Sequence, residues 1–229
     1  MIAWIKLGSA RAPDGTELSL WQRGAELVVR AGTLDLMSTR LHGSEELLAE
    51  HGCEGLAAPG ASASVLIGGL GLGFTLRATL GLLSPGARVV VAELVPEIVD
   101  WVRGPVGGAA LLDDPRVAVE ARDVAAVLRE SADRFDAILL DVDNGPSALT
   151  QASNRWLYGR AGVDAAARAL RPGGCLAVWS AGEDPAFEAL LWRAGLAARS
   201  VRVRAHRAGP RSSGRGAHHV IFLGTRPGP

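Results

Sequence analysis

Four acidic residues lie where their carboxylates could bind a polar ligand or accept a proton. Each comes at or just after the end of a short apolar run: Glu93, Asp123, Asp141 and Asp143. A carboxylate at position 93 can accept hydrogen bonds from both hydroxyls of a ribose. Asp123, or the backbone N–H group after it, could read the amino edge of an adenine. We expect the residues that follow, Leu94 and Val124, to complete these nucleoside contacts.

A glycine-rich turn comes before these acids. It joins an apolar run at 65–67 to helical sequence that begins at Phe74, and its glycines are Gly68, Gly69, Gly71 and Gly73. Residues without a Cβ atom let the backbone approach a ligand, and the free N–H groups of a helix start face the same place. We predict that the four glycines bind a nucleoside-type ligand, although glycine there also permits close packing of helix on sheet.

The spacing of these glycines differs from the dinucleotide fingerprint. G-x-G-x-x-G would place its third glycine at Phe74 or at Leu76, depending on the starting glycine. The third glycine of that fingerprint is the one that packs the helix on the strand. The turn therefore argues against a nicotinamide or flavin enzyme.

Strand and helix patterns alternate through residues 61–229, which we assign to one domain. Apolar runs predict strands at 65–67, 88–92, 117–120, 135–140, 175–180, 199–205 and 220–224. Helical patterns fall at 74–83, 96–102, 124–132, 156–170 and 185–194. Such alternation predicts an α/β fold, a doubly wound Rossmann-like, mostly parallel sheet. The short connection before the last strand predicts that this strand is antiparallel.

Residues 1–60 predict a separate N-terminal lobe. Two strand patterns, 17–22 and 26–31, form a small β-hairpin. A short helix should follow, with the hydroxyl of Ser44 as its N-cap and with Glu45 and Glu46 in its first turn, where the helix dipole favours negative charge. Gly52 should end it.

Composition excludes several classes of protein. The 24 Lys and Arg residues balance the 24 Asp and Glu residues, so no net field favours nucleic acid or an anionic membrane. Two cysteines cannot build a disulfide framework, and no apolar run reaches the roughly 20 residues of a membrane span. We therefore expect a cytoplasmic protein. The five histidines show no ligand spacing, and the neighbours His218 and His219 would point to opposite faces of a strand. We predict no metal.

The segment from about 64 to 181 resembles a class I S-adenosylmethionine-dependent methyltransferase core, and within that superfamily the spermidine synthase group. In that group a strand ending I-G-G-G-D-G-G leads into a helix with arginine, and here 67–73 precedes Arg77. The resemblance continues through 135–141, 144–146, 157–158 and 170–174. It implies that Glu93 binds the ribose, that Asp123 lies beside the adenine, and that Asp141 precedes the catalytic loop. The implied cofactor is S-adenosylmethionine or its decarboxylated form.

Three departures from the spermidine synthase group bear on activity. Gly71 replaces the aspartate that holds the amino group of the cofactor's tail. Residues 44–46, Ser-Glu-Glu, replace the Tyr-His/Gln-Glu segment. The catalytic loop from Asp141 to Pro146 departs from the D-S-x-D-P pattern and lacks its first proline. These changes favour methyl transfer from S-adenosylmethionine to a small-molecule or peptide nucleophile. Polyamine synthesis by aminopropyl transfer is the alternative, and a catalytically inert nucleoside-binding module is another. A homodimer is possible.

The predicted catalytic residues are Asp141 and Asp143. An amine must lose a proton before it attacks a sulfonium-activated carbon, and either carboxylate could take that proton. Alternatively, Asp141 touches only the cofactor, and Asp143 shapes the turn with Asn144. We expect Tyr158 and the tryptophans to pack in the core, although Trp156, Trp179 and Trp192 could also line an apolar substrate pocket.

Overall fold

A computed structural model describes residues 2–56, 62–142, 145–146, 155–204 and 218–228. The described residues form two β-sheets, one of four strands and one of seven. Helices cover the larger sheet on both faces. Among the described residues no helix is both long and apolar enough to cross a membrane.

The N-terminal sheet is larger than the predicted hairpin. Its strands are β1 (Ile5–Arg11), β2 (Glu17–Arg23), β3 (Glu26–Ala31) and β4 (Leu34–Ser38), each antiparallel to the next. The sequence indicated only β2 and β3, because their apolar positions are buried. β1 exposes Ile5 and Leu7 and carries a glycine, so it lacks the alternation that marks a half-buried strand.

The main sheet confirms the predicted fold class. Its strands are β5 (Ser64–Gly68), β6 (Arg88–Ala92), β7 (Val117–Glu120), β8 (Phe135–Leu140), β9 (Leu170–Ser180), β10 (Ala197–Arg204) and β11 (His218–Thr225). Their order is β10-β11-β9-β8-β5-β6-β7. The last strand, β11, is antiparallel to both of its neighbours, as predicted, while β5 to β9 pair in parallel.

Helices cover this sheet on two faces. They are α1 (Gly43–Gly52), α2 (Phe74–Leu82), α3 (Pro96–Arg103), α4 (Ala109–Leu112), α5 (Val124–Glu130), α6 (Arg160–Ala169) and α7 (Pro185–Arg193). Because side chains alternate along a strand, Val65 and Ile67 join the core under α1 to α3, whereas Leu66 joins the core under α5 to α7. The N-terminal sheet packs into the first of these cores.

Some local predictions were wrong. His42, not Ser44, is the N-cap of α1, and no side chain caps that end. Helix α6 begins at Arg160, four residues later than predicted. Trp192 is 57% exposed and so belongs neither to the core nor to a pocket. Tyr158 does pack in the core, where its hydroxyl donates a hydrogen bond to the carbonyl of Val142.

Candidate active site

A cavity lies at the carboxyl edge of the main sheet, where parallel strands of an open α/β sheet bind their ligands. Seven of the residues predicted from the sequence line it: Gly69, Gly71, Glu93, Leu94, Asp123, Val124 and Asp141. They come from the ends of four strands, β5 to β8. The structure thus brings together residues that are up to 72 positions apart in the chain. That they bind a nucleoside stays a prediction.

Two glycines of the turn between β5 and α2 have a positive φ and little room for a side chain. Gly69 has φ +84°, and a Cβ atom there would lie 2.6 Å from the carbonyl oxygen of Asp141. Gly71 has φ +53°, and a Cβ atom there would lie 3.2 Å from the sulfur of Met37. The turn can therefore lie against both the end of β8 and the N-terminal sheet only because these side chains are missing.

The other two predicted glycines, Gly68 and Gly73, do not lie in the described wall of the cavity. A Cβ atom on Gly68 would lie 3.0 Å from Leu140 and from Val124, and one on Gly73 would lie 3.1 Å from Leu111. Gly73 is also the N-cap of α2. Their position indicates helix packing, the alternative role that the sequence left open.

Glu93 is buried, and both of its carboxylate oxygens already accept backbone hydrogen bonds. The N–H group of Leu70 donates to Oε2 at 2.8 Å, and that of Val95 donates to Oε1 at 2.9 Å. Burial raises the pKa of Glu93, while these backbone hydrogen bonds lower it, and the net direction is upward. Backbone hydrogen bonds from Leu94 and Gly71 also lower this pKa, so a ribose hydroxyl would share the carboxylate with several backbone donors. Glu93 therefore anchors the glycine turn to β6 as well as facing the cavity.

Asp123 is both a helix cap and part of the cavity wall. Its Oδ1 accepts a hydrogen bond of 2.8 Å from the N–H group of Ala125, so it is the N-cap of α5. In the structure the cap uses one oxygen, and Asp123 still lines the cavity beside Val124.

Asp141 is held by a residue that the sequence analysis missed. The hydroxyl of Thr75, which is buried in the first turn of α2, donates a hydrogen bond of 2.6 Å to Oδ2 of Asp141. Burial raises the pKa of Asp141 to about 6, although this hydrogen bond opposes the shift. The other predicted catalytic acid, Asp143, and its neighbour Asn144 lie outside the described residues.

Glu45 is a second missed residue. It lies on α1 and lines the cavity together with Asp141. Burial raises the pKa of Glu45 to about 7, and the nearby carboxylate of Asp141 contributes to the shift in the same direction. The sequence signal was present, since Glu45 stands at the His/Gln position of the spermidine synthase segment. It was interpreted only as an acid in a first helical turn.

The remaining walls are apolar and come from three parts of the chain. The N-terminal sheet and the loop after β1 contribute Ala12, Leu18, Leu36 and Met37. Phe74 begins α2, and Trp179 comes from β9. The indole Nε1 of Trp179 is buried and has no hydrogen-bond partner among the described residues. An apolar enclosure with a few carboxylates suits a ligand with an apolar body and polar or cationic ends.

The described residues contain no group of three or more His, Cys, Asp or Glu side chains that could hold a metal ion. The cavity instead offers single carboxylates, each fixed by protein donors, and backbone groups of the glycine turn. Such a wall can bind hydroxyl and ammonium groups and can accept a proton.

Comparison with solved structures gives matches among spermidine synthases. The crystal structure of spermidine synthase from Thermotoga maritima aligns with a TM-score of 0.72 at 16% identity, over 96% of this chain and 72% of that chain. A spermidine synthase in complex with the transition state analogue AdoDATO gives 0.71 at 18% identity, over 96% and 72% of the two chains. A probable spermidine synthase from Corynebacterium glutamicum ATCC 13032 gives 0.66 at 15% identity, over 95% and 79%.

No protein-family model and no curated protein matches this chain. The likeness to solved structures is therefore one of fold, and it extends over both sheets rather than over the main sheet alone. The chain has a spermidine synthase-like scaffold, in which a class I methyltransferase-like α/β domain follows an antiparallel N-terminal sheet.

Proposed function

We propose that the protein is an aminopropyltransferase, which moves the aminopropyl group of decarboxylated S-adenosylmethionine to an amine. The sequence alone favoured methyl transfer, with aminopropyl transfer as the alternative. The observation that reverses this order is the charge of the cavity. Its wall contains the carboxylates of Glu45, Glu93, Asp123 and Asp141, and no Lys, Arg or His among the described lining residues.

The charge of the cavity discriminates between the two donors. S-adenosylmethionine carries a carboxylate on its tail, and a carboxylate near Glu45 and Asp141 would meet like charge in a partly buried site. Decarboxylated S-adenosylmethionine lacks that group and ends in an ammonium. A diamine acceptor is also cationic. Both substrates of aminopropyl transfer thus complement this wall.

The nucleoside half of the donor fits the other end of the cavity. The backbone of Gly69 and Gly71 allows close approach, and Glu93 and Asp123 offer acceptors for hydroxyl and amino groups. Val95 and Ile98 add apolar surface for the purine. These groups would fix the adenosine so that the sulfonium end extends towards Asp141.

The donor supplies a carbon that is activated by its bond to a sulfonium. The chain has to present a neutral amine to that carbon and to receive the proton that the amine releases. The amine nitrogen forms the new C–N bond while the C–S bond breaks, and its electron pair stays on sulfur as methylthioadenosine leaves. Asp141 and Glu45 are the described carboxylates with raised pKa values that line the cavity at this end, so either can take the proton.

Methyl transfer is a second candidate because of Gly71. The aspartate of spermidine synthases that holds the amino group of the donor's tail is absent, and the sulfur of Met37 lies beside this position. An apolar contact beside Gly71 would suit a donor whose tail is held by other residues, or a donor other than decarboxylated S-adenosylmethionine. The two activities release different products, methylthioadenosine from aminopropyl transfer and S-adenosylhomocysteine from methyl transfer.

One experiment separates these functions. The protein is incubated with putrescine and either donor, and the products are identified by mass spectrometry. We expect spermidine and methylthioadenosine with decarboxylated S-adenosylmethionine only. S-adenosylhomocysteine formed with a panel of acceptors would overturn the proposal in favour of methyl transfer. Tight binding of methylthioadenosine without turnover of either donor would favour the inert binding module.

A further inference from the structure

The direction of β11 brings its first residues to the cavity end of the sheet. Parallel strands end at this edge, and an antiparallel strand therefore begins there. His219 lies at this start of β11, paired with Val203 of β10. Its ring is 4.6 Å from that of Trp179, which lines the cavity. A titratable group from the far end of the sequence thus stands just behind the wall.

A short series of hydrogen bonds joins His219 to Glu45. Oγ of Ser44 donates to Oε2 of Glu45 at 2.6 Å, and Nδ1 of His219 lies 2.9 Å from the same Oγ. Because a hydroxyl has one proton, which here points to Glu45, Nδ1 of His219 is the donor in this arrangement. Reversing both hydrogen bonds needs only rotation of the hydroxyl and a change of histidine tautomer.

We propose that Ser44 and His219 form a proton relay that removes from Glu45 the proton released by the amine acceptor. The inference rests on the proposed function, and it gives Glu45 a role that its position on α1 alone does not require. Ser44 is buried, and it lies between the cavity wall and a half-buried histidine, so the path leads outward through protein groups.

The relay conserves protons at each step. The amine transfers its proton to the carboxylate of Glu45 as its nitrogen attacks the donor carbon. The Ser44 hydroxyl then turns towards Nδ1 of His219, whose ring changes to the Nε2–H tautomer. Glu45 passes a proton to Oγ of Ser44, and the hydroxyl proton of Ser44 moves to Nδ1. The imidazolium loses its Nε2 proton to water, which leaves Glu45 as the carboxylate and the ring protonated on Nδ1, as in the resting arrangement.

The surroundings keep His219 in the neutral form that can accept a proton. Burial lowers the pKa of His219, and the adjacent His218 lowers it further. The groups that face its ring are Trp179 of β9 and Ser44 of α1 with Glu45 behind it, while its pairing partner on β10 is the apolar Val203. The ring is therefore available to accept a proton at neutral pH.

A purely structural role makes a different prediction from a relay. If His219 only holds Ser44 and Glu45 in place, a glutamine at 219 should serve, since its amide can donate to Ser44. A relay needs a group that both accepts and releases a proton, which glutamine cannot do. The comparison of His219→Gln with His219→Ala therefore separates positioning from proton transfer.

The test measures kcat for spermidine formation at pH 8 in both variants, with and without added imidazole. We expect a loss of about 10-fold or more in each, and recovery with imidazole in His219→Ala only. His218→Gln, at the exposed neighbouring position, should retain the wild-type rate. Wild-type turnover in His219→Gln, or no recovery of His219→Ala with imidazole, would overturn the relay.

A second readout needs no turnover and so separates failure of the relay from failure of the proposed function. NMR of the imidazole nitrogens gives the tautomer and titration of His219 in the wild type and in Glu45→Gln. Groups joined through Ser44 predict that the variant changes the imidazole nitrogen resonances and the tautomer of neutral His219, because the hydrogen-bond partner of the Ser44 hydroxyl has changed. Nitrogen resonances that are identical in the wild type and the variant would overturn the relay, whereas a wild type inactive with both donors would overturn only the proposed function.

Discussion

At the scale of single residues, Glu93 shows how one carboxylate can serve both structure and binding. Its two oxygens accept the N–H groups of Leu70 and Val95 and so hold the glycine turn against the end of β6. The same group lines the cavity. A loss of Glu93 should therefore affect both stability and ligand affinity, which a residue that only contacts ligand would not do.

We predict that Glu93→Gln lowers the free energy of unfolding by about 1–3 kcal/mol, because one backbone N–H group would face an amide NH₂ in a buried site. It should also weaken the binding of methylthioadenosine at least about tenfold. Thermal unfolding and calorimetry measure the two effects. Glu97→Gln, an exposed change on the next helix, is the matched control. Unchanged affinity would remove Glu93 from the ligand site.

Glu45 and Asp141 form a second residue-scale feature, a pair of acids whose charged forms are disfavoured by burial. Folding raises the pKa of Glu45 to about 7 and that of Asp141 to about 6, above the usual values of 4.5 and 3.8. For such groups the folded state binds protons more tightly than the unfolded state. Their contribution to stability is thus full below pH 4 and is lost as the pH rises through 6 and 7.

The upward direction of these pKa shifts predicts how the stability of a variant should depend on pH. At pH 8 we expect Glu45→Gln to be more stable than the wild type by about 1–3 kcal/mol, and at pH 4 we expect the two to be equally stable. Putrescine should reduce the difference at pH 8, because a bound cation stabilises both carboxylates. Denaturant unfolding at the two pH values checks this, with Glu97→Gln as the control. Equal stability at pH 8 would refute the buried acid pair.

The sequence predicted the acids at strand ends better than it predicted their partners. Glu93, Asp123 and Asp141 could be found because parallel strands bring their carboxyl ends to one edge. Thr75 could not, since it joins the site only through packing of α2 on that edge. Glu45 had a signal in its place in the spermidine synthase segment, and Trp179 was one of three tryptophans that could line a pocket. No local pattern distinguishes a threonine in a first helical turn that holds a buried carboxylate from one that does not.

At the scale of elements, the turn between β5 and α2 depends on the close approach of β8. We predict that Gly69→Ala destabilises the protein by about 1–3 kcal/mol, since alanine at φ +84° is strained and its Cβ atom would lie 2.6 Å from the carbonyl oxygen of Asp141. The shift of Asp141 should also reduce turnover. Chemical denaturation and kinetics measure both effects.

Gly81 of α2 is the matched control for this change. A Cβ atom at Gly81 would meet nothing within 4 Å. Because alanine is a better helix former than glycine, Gly81→Ala should stabilise the protein by up to about 1 kcal/mol and leave turnover unchanged. The change in the turn before α2 and the change near the end of α2 should thus have opposite effects on stability. Loss of stability in both variants would contradict this account of the turn.

Burial on both faces made β6 and β8 predictable, whereas β7 was predicted although its residues are half-buried or exposed. The observed bounds of β6, β7 and β8 match the predicted ones. An apolar run such as Val89 to Ala92 has few alternatives to a buried strand. Strands β1 and β4 were missed, since their residues are largely exposed or half-buried and their stability comes from pairing with β2 and β3. The predicted N-cap of α1 was wrong because the hydroxyl of Ser44 instead forms hydrogen bonds with Glu45 and His219.

At the scale of the whole molecule, both sheets contribute to a cavity whose described charged side chains are all acidic. The N-terminal sheet adds the apolar side chains of Leu18, Leu36 and Met37 to a wall whose acids come from the main domain and α1. The chain has no formal net charge, with 24 basic and 24 acidic residues. Because the described wall holds four carboxylates and no basic side chain, the balancing cations lie elsewhere.

This separation of charge predicts how salt affects each ligand. Raising NaCl from about 0.05 M to about 0.5 M should increase the KM for putrescine by about 3-fold to 10-fold, because screening weakens the attraction between a dication and the acidic wall. The affinity for methylthioadenosine, which is neutral, should change by less than about 2-fold over the same range. Steady-state kinetics and calorimetry give the two numbers. An equal change for both ligands would mean that the acids of the cavity do not recognise charge, and the argument from cavity charge to an amine substrate would then fail.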